Sequence, residues 1–218
     1  MLDEATYKTQ AGGQAPAVEV IFEGKECNIL IEAKMSLFAD DVLLQDNETA
    51  IYQKTKRVRD AIKQGWRVGK VIRDPASGFG TRFQAKQDYL MVVTSRELNL
   101  GNGERLRQLY APGQLNYPDA DAEQRLPLSN VFILSIADFE RTMGCVAAGE
   151  INLSAVLKDA VAANQGGGTA RLFFSDFIGK YTKRWTIPTV MQDAQRAAEE
   201  RIKTAMGGGG VLGGESAN

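Results

Sequence analysis

Two glutamates and a lysine stand where a short antiparallel hairpin would bring them together. The stretch from Ala17 to Lys34 has two apolar arms flanking a polar turn at Lys25-Glu26. Pairing the arms about that turn sets Val20 opposite Ile31, Phe22 opposite Ile29 and Val18 opposite Ala33, which makes one apolar face. On the other face Ile21 meets Leu30 and Glu19 meets Glu32. Lys34 lies two residues beyond Glu32 and shares its side, because side chains alternate along a strand. Like charges directly opposed in a sheet are destabilising. A divalent cation held between the two carboxylates offsets that repulsion. A lysine beside such an ion can orient a water or balance charge that develops on a reacting group.

The rest of the composition narrows the chemistry. The chain has 218 residues and no histidine, which excludes a histidine general base, a serine–histidine or cysteine–histidine dyad and any histidine metal site. Two cysteines, Cys27 and Cys145, are too few for a disulfide framework and point to a reducing cytoplasm. With no histidine and two cysteines, structural zinc is excluded as a working idea, and a hard cation with oxygen ligands is left. No signal peptide opens the chain, and no apolar run approaches the roughly 18 to 20 residues that span a bilayer, so no membrane partner is expected. A composition of 44% hydrophobic and 24% charged residues is that of a globular protein. The formal net charge of −1 means that any contact with nucleic acid must come from a local patch.

Several elements must position the hairpin. A short strand is expected around Thr6 to Thr9. After the hairpin, Asp46 or Asn47 can cap a helix whose apolar stripe is Ile51, Thr55, Val58 and Ile62, with Gly65 as its stop. Trp66 to Ile72 reads as a strand. The apolar runs 89–94 and 131–136 read as strands buried on both faces. A short helix is expected near 104–109, and longer ones at 137–147, 152–164, 170–182 and 188–205. The glycine-rich segment from 207 onward reads as a disordered tail. The whole is α/β: a core over 1–136, a helical extension over 137–206 and a tail over 207–218.

The order of an acid, a thirteen-residue step, an acid-x-Lys, a helix and a strand resembles the PD-(D/E)XK nuclease superfamily. That resemblance covers roughly residues 6–95. It implies a restriction-endonuclease-like mixed sheet flanked by helices, with the core order helix, three antiparallel strands, helix, strand. Glu19 would be the family's first acid, and Glu32-Ala33-Lys34 its second element. Residues 46–64 would be the second helix and 66–73 the fourth strand. The family's proline is displaced, since Pro16 lies three residues before Glu19, and Glu replaces the commoner Asp. The family's leading helix has little room before residue 6, so the chain is expected to begin inside a longer protein or to take that helix from a partner. By the same resemblance Glu19 and Glu32 would hold Mg2+, with Mn2+ as a substitute, and Lys34 would assist at the reacting phosphate. Gln53 and Lys56, three apart on one helix face, would stand near that site.

Residues 54–73 hold eight cations against one acid, Asp60. Lys54, Lys56, Arg57, Arg59 and Lys63 are the candidates for phosphate contacts, which are indifferent to base sequence and strongly salt-dependent. A solvated helix face is the plainer account of the same run. Asp40 and Asp41 can add a metal ligand or simply lie in a solvated loop, and Glu48 near a helix start complements the helix dipole. Trp66, Tyr89, Phe132 and Phe139 are core candidates. Phe173, Phe174, Phe177 and Tyr181 have the spacing of a core or interface face.

The resulting expectation is a magnesium-dependent endonuclease acting on DNA, in a phage-defence, restriction or repair setting, with RNA left open as a substrate. The alternatives are a non-catalytic nuclease-fold scaffold, a nucleic-acid-binding subunit of a larger complex, and a site completed by a homodimer or partner chain.

Overall fold

Alternating apolar side chains on β-branched-rich strands build a sheet with two buried faces. In the computed structural model, residues 1–13, 15–35, 48–79, 82–165, 171, 173–181 and 189–207 are described. The first elements are β1 (Leu2–Asp3), α1 (Glu4–Ala11), β2 (Val20–Phe22) and β3 (Cys27–Lys34). They are followed by α2 (Glu48–Lys54), α3 (Lys56–Val71), β4 (Gln87–Thr94), α4 (Gly103–Gln108), α5 (Ala120–Arg125) and β5 (Val131–Ser135). The helices α6 (Ile136–Ala147), α7 (Leu153–Gln165), α8 (Ser175–Ile178) and α9 (Thr189–Gly207) complete the chain. The five strands lie in the order β1-β2-β3-β4-β5. β1–β2 and β2–β3 are antiparallel, whereas β3–β4 and β4–β5 are parallel. The architecture is therefore α/β, a mixed sheet flanked by helices.

The hairpin register is the one its pattern dictates, with Val20 opposite Ile31, Ile21 opposite Leu30 and Phe22 opposite Ile29. Ile21, Leu30, Leu90, Val92, Val131 and Ile133 pack on one face against Tyr7 of α1 and Val58, Ala61, Ile62 and Trp66 of α3. Ile29, Ile31, Tyr89, Met91, Val93, Phe132 and Leu134 pack on the other, against Cys145 of α6, Val156 and Leu157 of α7, Phe174 just before α8 and Phe177 within it. The helices α6, α7 and α8 thus cover the second face of the sheet. Phe139 is half-buried against that layer, and Phe173 and Tyr181 reach solvent.

Three expected elements differ. The segment Thr6 to Thr9 is helical, because Asp3 Oδ1 accepts from the Thr6 N–H at 2.8 Å and starts α1. Tyr7 then drops into the core and stacks on Phe79 at 5.1 Å. This helix falls between β1 and β2, not ahead of the antiparallel strands. The segment 66–73 is not a strand: α3 runs through Gly65 to Val71, and β4 is the strand that pairs parallel to β3. Gly65 is a point of close approach, not a stop. A Cβ there would lie 2.9 Å from Leu90 Cδ2, so glycine lets the helix sit down on the sheet. Trp66, Gly69 and Ile72 continue the buried stripe at helical spacing. Within 170–182 the described helix is the single turn α8. Asp40, Asp41, Asp46, Asn47 and the tail from 208 lie outside the described residues, and no helix among those described is long and apolar enough to cross a membrane.

Candidate active site

Glu32 is the penultimate even-numbered residue of β3, so it shares its side with Leu30 and Lys34 and points toward the α1–α3 layer. Only 2% of Glu32 is exposed. Its Oε1 accepts from Lys34 Nζ, and the Glu19 backbone N–H also donates to its carboxylate. Burial pushes the Glu32 carboxyl above its ordinary value of 4.5, the Lys34 contact opposes that rise, and the charge of Glu19 adds to it.

Glu19 itself is not in the ladder. The chain bends there, one residue before β2, and the Glu19 carbonyl accepts from the Glu4 N–H at 3.0 Å, at the start of α1. Its side chain is exposed, and it meets Glu32 through backbone and charge instead of as a cross-strand pair. The bend also turns Val18 into the α3-side core, while Ala33 is left exposed.

The remaining candidates divide by position. Gln53 and Lys54 end α2 in solvent. Thr55 interrupts the helix, so Lys56 belongs to α3, where it pairs with Asp60 at 3.0 Å. Among the described residues no hydrogen bond or ion pair joins Gln53 or Lys56 to Glu19, Glu32 or Lys34. Arg57 donates to the Met35 carbonyl, just past β3, and so brings a cation beside the end of the strand that carries Glu32. Arg59 is buried: its guanidinium carbon lies 3.5 Å over the Tyr52 ring, and NH1 donates to the Tyr52 carbonyl at 2.7 Å. It serves the core, not the cationic surface. Arg73 is likewise withdrawn, gripping Asp88 through two bonds of 2.6 and 2.7 Å. Lys63 is half-buried, and Arg67 and Lys70 are exposed on α3.

The parallel register sets Lys34, Thr94 and Ser135 side by side at one end of the sheet. Open α/β sheets place their ligands at this carboxyl end. Two more acids lie there: Glu97 after β4 and Asp138 in the first turn of α6, both with carboxyls raised chiefly by burial, Glu97 feeling the Asp138 charge. Nothing in their spacing pairs them in the sequence. A hollow of about 340 Å³ at the same end is lined by Lys34, Met35, Thr94 and Ile136.

The donor set at Glu19 and Glu32 is two hard carboxylates with no nitrogen or sulfur ligand, and it suits an ion that keeps several waters and takes one or two carboxylates. Among the described residues, no three acidic or cysteine side chains gather at metal-binding spacing. Compared with known proteins, the chain finds no match: no family model, curated protein or solved structure resembles it significantly.

Proposed function

We propose that the chain is a divalent-metal-dependent nuclease that hydrolyses phosphodiester bonds of DNA, of the PD-(D/E)XK type with a restriction-endonuclease-like core. The observation that carries this reading is the buried Glu32 carboxylate at the end of a central strand, with Lys34 on its own face and Glu19 beside it. An antiparallel hairpin followed by a helix and a parallel strand supports it as well.

In this reading Glu19 and Glu32 hold Mg2+, or Mn2+ in its place. An ion held by these two carboxylates would supply Lewis acidity to a phosphoryl oxygen and would lower the pKa of the water that attacks. Burial removes water from around Glu32 and so strengthens its grip on a cation. Lys34 Nζ, close to that carboxylate, is placed to hold the attacking water or to balance the charge of the pentavalent phosphate. Defence, restriction and repair are the settings such chemistry suits.

A second reading is favoured by one observation: Glu32 already has two donors from the protein itself, Lys34 Nζ and the Glu19 N–H. A nuclease-fold scaffold or a nucleic-acid-binding subunit that does not cut would look the same. Plasmid incubated with Mg2+ or Mn2+ separates the two. Nicking by the wild type that falls about 100-fold or more in Glu32→Gln and Lys34→Ala supports the enzyme. Binding without nicking under either ion supports the scaffold.

A further inference from the structure

Beside the Glu19 bend the chain leaves a polar cleft of about 520 Å³ between α1, the segment that returns to β2, and α3. Glu4 and Lys8 line one wall. Asp60, Lys63, Gln64 and Arg67 line the other, on neighbouring turns of α3. The cleft is tied to the candidate active site by backbone: the Glu4 N–H reaches the Glu19 carbonyl at 3.0 Å, and Gln64 Nε2 donates to the Ala17 carbonyl.

The charges in this cleft are unequal. Each acid is already matched by a lysine four residues away, Glu4 by Lys8 and Asp60 by Lys56. Among the described residues neither Lys63 nor Arg67 has an ion-pair partner, and the lining holds three cations, Lys8, Lys63 and Arg67, against two acids, Glu4 and Asp60. The rest of its lining is Gln64 and the small residues Gly13, Ala15, Pro16 and Ala17, and its mouth is open to solvent, which leaves room for a hydrated polyanion beside the charged side chains. This cationic surface lies further along the chain than Lys54 of α2 and Lys56 of α3, and it includes α1.

We propose that this cleft holds the phosphate backbone of a DNA strand on the Glu19 side of the scissile bond, with Lys63 and Arg67 each neutralising one phosphate. The proposal rests on the nuclease reading for what lies next to the cleft, while binding itself can be measured without cutting. The test is fluorescence anisotropy with a labelled 20-base-pair duplex in EDTA, over a range of salt. Wild type is compared with Lys63→Gln/Arg67→Gln, with the charge-keeping Lys63→Arg/Arg67→Lys, and with Lys54→Gln/Lys56→Gln.

The expected result is a loss of about tenfold in affinity for Lys63→Gln/Arg67→Gln, and a salt slope shallower by roughly 2, since each neutralised phosphate contributes about 0.9. Lys63→Arg/Arg67→Lys binds as wild type does, and Lys54→Gln/Lys56→Gln falls less. Unchanged affinity and slope in Lys63→Gln/Arg67→Gln would overturn the cleft, and if the wild type nicks plasmid in parallel, the nuclease reading survives that failure. Weakened binding in that variant, with no nicking by the wild type, supports the cleft as a DNA site and removes the nuclease reading. A wild type that binds no duplex overturns the cleft outright.

Discussion

Lys34 Nζ and Glu32 Oε1, two residues apart on β3, form an ion pair on the α3 side of the sheet. The lysine keeps access to water, with 24% of its side chain exposed, whereas 3% of the Glu32 side chain is. The cost of burial therefore falls on the acid. In the unfolded chain Glu32 titrates at its ordinary 4.5, and in the fold it titrates higher. Below 4.5 both states hold the proton and no charge is buried. As pH rises through the folded value, the native state must bury a carboxylate and loses stability. Glu32→Gln removes that charge at nearly constant shape. Its melting temperature should exceed that of the wild type near neutral pH, and the gain should vanish at about pH 4. A variant less stable than wild type at pH 7 would mean that the Lys34 contact outweighs the cost of burial.

Arg73 belongs by sequence to the cationic run but by structure to Asp88. That carboxylate is fully buried and also receives Asn28 Nδ2 at 2.9 Å, with Arg125 NH1 at 3.8 Å. Removing one partner of such a pair leaves a buried charge without its main counterion, which costs about 3 kcal/mol or more. Arg73→Ala should lower the urea midpoint by that loss divided by an unchanged slope, and leave the salt dependence of DNA binding as it was. A shallower salt slope with intact stability would return Arg73 to the surface patch.

Arg59 gives a related prediction through a different contact. It stacks on Tyr52, and its neighbours Thr55 and Tyr110 join their hydroxyls within the same pocket. Arg59→Ala loses a desolvated cation–π contact of about 2 kcal/mol together with its packing. Denaturation should show that loss. Anisotropy titrations should show no change in salt slope, whereas a change there would make Arg59 a phosphate ligand after all.

Gly69 sits where α3 crosses the buried ion network. A Cβ there would lie 2.4 Å from Arg125 NH1 and 2.9 Å from Asp88 Oδ2. Alanine raises helix propensity by about 1 kcal/mol but must displace a buried guanidinium, and overpacking costs roughly 1–3 kcal/mol. Gly69→Ala should destabilise. In the double variant with Arg125→Ala the two losses should be less than additive, because the methyl then has room. Strict additivity would show that the methyl is accommodated without moving Arg125.

The hairpin was legible in the sequence because alternation and a short turn leave one register that buries both apolar faces. The stripe Ile51, Thr55, Val58 and Ile62 was legible for the same reason, and all four are buried. Residues 66–72 misled because valine and isoleucine suit strands, and because glycines at 65 and 69 look like breaks. Those glycines mark contact with Leu90 and with Arg125, which lie far off in sequence. The helix α1 carried a readable signal in Asp3 as cap and Glu4 in the first turn, but its one fully buried side chain is Tyr7, too little for an apolar stripe. At the site, Lys34 beside Glu32 follows from strand period alone. The bend at Glu19 does not, since it depends on the Glu4 N–H at the start of α1 donating to that residue's carbonyl. The withdrawal of Arg59 and Arg73 from solvent depends on Tyr52 and Asp88, which no local pattern links to them.

In the proposed mechanism Glu19 and Glu32 share one divalent ion. Crystals soaked in Mn2+ and measured at the manganese absorption edge test it most directly. The expected result is a single anomalous peak between the two carboxylates, with both side chains turned to it, and its loss in Glu32→Gln crystals. A well-occupied peak elsewhere, or none at saturating Mn2+ while Glu32 remains closed on Lys34, would contradict it.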